Sequence, residues 1–139
     1  MSLVIDASLT MAWYFDDEKT QTTEELFDRV SRFGALVPNH WKLEVANALQ
    51  MALRRRRVTA EFRDQSLADL AELPIAIEAD TATYAWTTTV RMADRFGLTI
   101  YDATYLELAN RRGLPLATLD RELRAAAAAL DVSLLGLDP

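Results

Sequence analysis

Leu3-Val4-Ile5-Asp6-Ala7-Ser8 sets three branched apolar residues directly against a carboxylate, a small residue and a hydroxyl. A short unbroken apolar run suits a strand buried on both faces, as in a parallel sheet. Such a strand has no solvent side on which to place a charge. Asp6 is therefore expected just beyond its carboxyl end, where open α/β sheets bind their ligands. One carboxylate there defines no function; what matters is which other residues the chain sends to meet it.

The rest of the chain alternates. Helices are expected over 20–33, 41–56, 59–73, 81–96, 101–112 and 121–130, and short strands over 35–37, 75–77, 116–119 and 132–135. Thr22 or Thr23 is a candidate cap for the first of these helices. Gly34, Gly97 and Gly113 stand where helices stop. The segment 10–15 reads as a short apolar piece, and Asp16-Asp17-Glu18 as a solvated turn. Strands alternating with helices argue for an α/β/α sandwich: a short central parallel sheet of about five strands with helices on both faces. At 139 residues the chain is expected to form a single domain, 1–139.

Composition narrows the chemistry. There is no cysteine, which removes disulfides and thiol catalysis and fits a reducing, cytoplasmic setting. No apolar run approaches the ~18 residues of a membrane span, and no signal peptide is expected at the N-terminus. The net charge of −6 argues weakly against non-specific nucleic-acid binding. Its distribution is uneven. Thirteen of the 15 basic residues are arginine, four of them together at Arg54-Arg55-Arg56-Arg57. Arginine's planar fork matches phosphate geometry, although Arg- and Ala-rich composition also follows from genome base content.

Three further carboxylates stand at element ends. Glu44 falls in the first turns of the helix from Trp41, beside Trp41 and Ala48 on the margin of its apolar face; the plainer account is a favourable charge near a helix N-terminus. Asp102 follows Thr99 by three residues, as in a capping box, yet it also lines up with Leu106 and Ala109 at i, i+4, i+7, which turns it inward or toward a cleft. Asp120 follows the strand at 116–119 and suits an N-cap. If that strand neighbours the first, Asp6 and Asp120 meet at the switch point of the sheet. Carboxylates gathered in one cleft repel unless some are protonated or a divalent cation lies among them. With one histidine and no cysteine, all-oxygen ligation of Mg²⁺ or Mn²⁺ is the arrangement these residues suit. Such ions commonly serve phosphoryl transfer.

Taken together, Val4-Ile5-Asp6-Ala7-Ser8, Trp41-Lys42-Leu43-Glu44-Val45-Ala46-Asn47-Ala48-Leu49, Tyr101-Asp102-Ala103-Thr104-Tyr105-Leu106 and Ala117-Thr118-Leu119-Asp120 closely resemble the PIN-domain family. Their order and separation are similar to its bacterial VapC-type toxin branch, over 3–135. The resemblance implies a PIN-like fold and a Mg²⁺- or Mn²⁺-dependent ribonuclease. Asp6, Glu44, Asp102 and Asp120 would hold the metal, and water activated there would cleave an RNA phosphodiester. It also implies supporting roles for Ser8 and Thr118 beside the acids and for Asn47 one turn beyond Glu44. A homodimer and a small antitoxin partner covering the site are implied as well. The alternatives are a PIN-like scaffold that binds RNA or protein without cleaving it, and a metal-dependent DNA nuclease of related architecture.

Other features divide between function and scaffold. Arg55 lies eleven residues beyond Glu44, on nearly the same side of the helix, and could grip RNA backbone; a basic residue favouring a helix C-terminus accounts for it equally. His40 reads as a loop residue at a helix start, with a general-base role the lesser alternative. Trp41 belongs to an apolar face and is expected in the core. Trp13 is open between core packing and base stacking.

Overall fold

The computed structural model describes residues 2–137. Five strands, β1 (Val4–Ile5), β2 (Ala35–Val37), β3 (Ile75–Ile77), β4 (Leu116–Ala117) and β5 (Leu134–Leu135), pair in the order β3-β2-β1-β4-β5, all parallel. Leu3, Val4 and Ile5 have no exposed surface, as the opening apolar run requires. The chain builds outward from β1 to β3, then returns to place β4 on the other side of β1. Val4 pairs with Leu116 and Ile5 with Ala117. The switch in strand order therefore falls between β1 and β4, where neighbouring crossovers leave a crevice at the strands' carboxyl ends.

Among the described residues, eight α-helices connect the strands: α1 (Ala7–Ala12), α2 (Gln21–Phe33), α3 (Trp41–Arg54), α4 (Ala60–Ala71), α5 (Thr81–Tyr84), α6 (Val90–Phe96), α7 (Ile100–Arg112) and α8 (Arg121–Ala129). Crossovers that run in opposite directions along a parallel sheet lie on opposite faces when each is right-handed. That assigns α1–α4 to one face and α5–α8 to the other. The packing agrees: α1 and α4 lie against α3, while α6 and α8 lie against α7. Among the described residues, no helix is long and apolar enough to cross a membrane.

Three local expectations need correction. The first half of the segment 10–15 is the end of α1, a helix capped by Asp6 itself, whose side chain accepts from the Leu9 amide. The cap of α2 is Thr20, not Thr22 or Thr23: Thr20 accepts from Thr23 N, and Thr23 Oγ1 accepts from Thr20 N in return. The helix expected over 81–96 is interrupted by a π-helical turn, Ala85–Thr89, between α5 and α6. The indole of Trp86 on that turn is exposed to solvent.

The tryptophans at the core hold elements together through their indole nitrogens. Trp41 is buried, and its Nε1 donates to Thr10 Oγ1 at 3.1 Å, tying α3 to α1. Trp13 is also buried and donates to Thr23 O at 2.9 Å, which excludes base stacking on its ring.

The far end of the sheet is closed by Arg124 of α8, whose Nη1 donates to Thr118 O at 2.7 Å and Leu135 O at 2.9 Å. Gly136 follows immediately with φ +119, and a Cβ there would stand 3.0 Å from Thr118 O. That backbone conformation disfavours any L side chain. Gly136→Ala is expected to cost about 1–3 kcal/mol, read as a lower urea midpoint at unchanged slope.

Candidate active site

Asp6 extends from the carboxyl end of β1 and is only 5% exposed. Its Oδ1 accepts from Ser8 Oγ at 2.8 Å and Leu9 N at 2.9 Å; its Oδ2 accepts from Thr118 Oγ1. The two hydroxyls are oriented by what they accept. Ser8 Oγ takes the Leu119 amide at 3.1 Å, and Thr118 Oγ1 takes the Asp120 amide at 3.0 Å. Each hydroxyl has one proton, so an amide on its lone pairs directs that proton to Asp6. The loop after β4 is thus bound to the residue after β1 by side chains as well as by the sheet. Burial is the largest influence on Asp6 and outweighs these three donors, with the charge of Asp102 adding to it. The carboxyl is pushed up to about 6.

Asp120 stands two residues beyond Thr118 and caps α8, its Oδ1 accepting from Leu123 N at 3.0 Å. The cap expected from sequence is present, at the switch point. Asp102 lies in the first turn of α7, where its amide donates to Thr99 Oγ1 at 3.1 Å. Its carboxyl is raised, first by burial and then by the negative charges of Asp120 and Glu44. Asp102 is therefore within reach of the other three acids: the charges of Asp120 and Glu44 act on it, and its own acts on Asp6.

Glu44 on α3 is held from two sides. Tyr105 OH donates to its Oε1 at 2.5 Å, and His40 Nε2 lies 3.1 Å from the same atom. The tautomer of His40 follows from its neighbours. Thr104 Oγ1, 3.2 Å from His40 Nε2, commits its own proton to Tyr101 O at 2.6 Å, and the carboxylate can only accept. Nε2 therefore carries hydrogen. Burial works to raise the Glu44 carboxyl, but the bonds from His40 and Tyr105 prevail and hold it below the usual glutamate range. Tyr105, also buried, is pushed far up by burial and by this carboxylate. The sequence reading left His40 in a loop and gave Tyr105 no part. The bonds to Glu44 that give them one come from the i−4 position and from 61 residues away. Asn47, in contrast, is exposed on α3 and takes no part in holding Glu44.

Asp6 and Asp120 are thus linked through Thr118, and Glu44 is bound by Tyr105, three residues beyond Asp102 on α7, with the charges of Asp120 and Glu44 bearing on Asp102. As the side chains stand, no three histidine or carboxylate groups among the described residues are arranged to hold a metal ion. Both oxygens of Asp6 and one of Glu44 are engaged by hydroxyls, an amide and the imidazole instead. The donor chemistry nevertheless suits a hard divalent cation. All four acids offer oxygen, and the one nearby imidazole nitrogen is protonated and cannot ligate. Their mutual repulsion is also what a dication would relieve.

Residues 3–129 match the PIN-domain family. The chain is 31% identical over 123 residues to Ribonuclease VapC3 of Pyrobaculum aerophilum, covering 88% of this chain and 92% of that protein. Among solved structures it is similar to PAE2754 of Pyrobaculum aerophilum, with TM-score 0.70 and 24% identity, over 96% of this chain and 83% of that one. It is also similar to VapBC2 of Rickettsia felis bound to a DNA fragment from their promoter, with TM-score 0.65 and 11% identity, over 99% and 100% of the two chains. With the acidic residues that suggested it drawn to one end of a five-stranded parallel sheet, the chain belongs to the PIN-domain family, in its VapC branch.

Proposed function

We propose that this protein is a Mg²⁺- or Mn²⁺-dependent endoribonuclease, the toxin of a toxin–antitoxin pair. The observation that carries the reading is the joining of the acid-bearing element ends at the sheet's switch point: Thr118 donates to Asp6 and takes the amide of Asp120, and Tyr105, three residues beyond Asp102 on α7, donates to Glu44. The ribonuclease name borne by its Pyrobaculum relative supports it. Asp6, Asp102, Asp120 and Glu44 are the residues that would hold the cation. When bound, it would supply charge neutralisation on the scissile phosphate and a water of lowered pKa.

The remaining contributions come from the chain itself. Ser8 and Thr118 fix both oxygens of Asp6, so its carboxylate meets the site in one orientation. Tyr105 and His40 occupy Glu44 Oε1 and keep that carboxylate ionised. The burial of Asp6 lowers the local dielectric and strengthens every charge interaction there.

The test is incubation of the purified protein with structured RNA, with Mg²⁺ and with chelator. Cuts that need the metal and vanish in Asp6→Asn support the reading; metal-independent cuts, or equal cleavage by the variant, sink it. Cleavage of DNA alone would favour a DNA nuclease, and RNA binding without cuts a scaffold. Tyr105→Phe removes one of the two bonds on Glu44 while keeping the ring. It is expected to lower metal affinity or activity by about 10- to 100-fold, the usual effect of losing a partner that orients a ligand. A metal titration of the two proteins checks it.

A small antitoxin is the partner this branch suggests, as in the Rickettsia felis VapBC pair. Self-association belongs to the same proposal. Leu43 and Trp86 expose large apolar side chains, as an interface requires. Sedimentation velocity distinguishes dimer from monomer.

A further inference from the structure

A groove of about 390 Å³ lies between α1 and α3, beside the acidic site. It begins at Ala7 and Ser8, and Ser8 is one of the donors on Asp6. On the α3 side it follows Ala48, Met51, Ala52 and Arg55, spaced i, i+3, i+4, i+7. Glu44 lies one turn before Ala48, so a single face of α3 runs from the acid cluster to Arg55. The separation is eleven residues, about 16 Å along the axis.

The far end of the groove sets Arg55 and Arg57 against Asp17 and Glu18. Arg57 donates to both oxygens of Asp17, at 3.1 and 3.3 Å, and its guanidinium stacks 4.6 Å over the Phe15 ring. Asp17 thus already compensates part of the Arg57 charge. Arg55 lines the same groove, is exposed and turns none of these bonds on itself. Glu18 is the opposing charge on the lining; burial raises its carboxyl, and Asp17 raises it further against the pull of Arg57.

Resting on the ribonuclease reading, we propose that this groove carries the single-stranded RNA on one side of the scissile phosphate, with Arg55 gripping a backbone phosphate a few nucleotides from the cut. A cationic side chain in a groove whose other end reaches Ser8, a donor to Asp6, is where a polyanion leaving that site meets compensating charge. Phosphate contact of this kind positions the strand and carries no sequence information. Arg55 is thus a positioning residue that acts on binding, and Glu18 weakens the grip.

The experiment measures binding of a fluorescent single-stranded RNA of mixed sequence, in chelator, against salt. For Arg55→Ala the slope of log affinity on log salt is expected to fall by about 0.7, the value of one single-strand phosphate contact. This is about fivefold in affinity per decade of salt. Glu18→Gln is expected to bind more tightly than the parent. Arg54→Ala, turned about 100° from the groove, keeps the parent slope. In cleavage, Arg55→Ala raises KM and leaves kcat. Thermal melts confirm that each variant is folded. Equal slopes for Arg54→Ala and Arg55→Ala, or a parent slope in Arg55→Ala, overturn the groove. If the parent still cleaves RNA in Mg²⁺ while Asp6→Asn does not, the hydrolytic site survives that failure. A parent that neither binds nor cuts RNA overturns both.

Discussion

Asp6→Asn is expected to abolish RNA cleavage, by roughly 10²- to 10³-fold or more, while making the metal-free protein more stable. The two effects share one cause. Asp6 is buried at the switch point, and burial holds its carboxyl near 6 against an ordinary 3.8. Its ionised form is thus penalised in the folded state and not in the unfolded chain. The penalty is absent below the unfolded pKa, grows as pH rises from 3.8 to about 6, and is complete above. At 1.36 kcal/mol per unit it reaches about 3 kcal/mol at neutral pH. Asparagine keeps the shape and removes the charge; its amide nitrogen cannot accept, so the Thr118 hydroxyl on that side turns to Ser8 Oγ, 3.4 Å away. Urea melts in chelator should show Asp6→Asn ahead of the parent at pH 7.5, with the gap closing toward pH 4. A variant that is less stable at both pH values would mean that Asp6 serves folding rather than a ligand. Stability given up at a functional carboxylate is the usual signature of a site tuned for activity.

The second large effect lies away from the site. Glu78, just past β3, and Glu107, on α7, are both buried, and Arg111 bonds both. Its Nη1 and Nη2 donate to the two oxygens of Glu78 at 3.3 and 3.0 Å, and its Nε to Glu107 at 2.8 Å, while Tyr84 lies 4.3 Å beneath the guanidinium. Burial alone would raise Glu78, but the Arg111 bonds win and lower it. Arg111→Met keeps much of the stem and leaves two buried carboxylates uncompensated. The expected loss is about 3–5 kcal/mol at pH 7, read from denaturant melts. The pH dependence reverses. In the parent, the stability from Glu78 is present above the unfolded value near 4.5 and is lost as pH falls through its lowered folded pKa. In the variant Glu78 loses the Arg111 bonds that lower it while burial still raises it, so acidification recovers stability. A loss under 1 kcal/mol would show that water already screens the cluster. Because α7 carries Asp102 and Tyr105, loosening this clamp also lowers activity.

Local signals accounted for the scaffold. The run from Leu3 to Ile5 announced a doubly buried strand, and Gly97 and Gly113 take the left-handed conformation that ends α6 and α7. The acids of the site were legible because each stands where one element gives way to another. What the sequence hid was mostly pairing at a distance. Nothing local links Tyr105 to Glu44, or Glu78 to Arg111, since these contacts exist only once α7 has packed across the sheet. Two misses did have signals. Glu107 and Arg111 stand at i, i+4, a spacing that brings opposite charges together on a helix. Asp6 before Ala7 is also a capping residue, a signal for the helix that takes in the first half of the apolar piece at 10–15. The π-helical turn at Ala85–Thr89 interrupts a run of apparently helical sequence, and local pattern offers no sign of it.

That the acidic cluster exists to hold a hard dication is tested most directly by a crystal soaked in Mn²⁺ and read by anomalous scattering. The account predicts a peak ligated by Asp6 and by at least one of Asp102 and Asp120, and no peak there in Asp6→Asn. A peak elsewhere on the chain, or one that persists at this position in the variant, would contradict it.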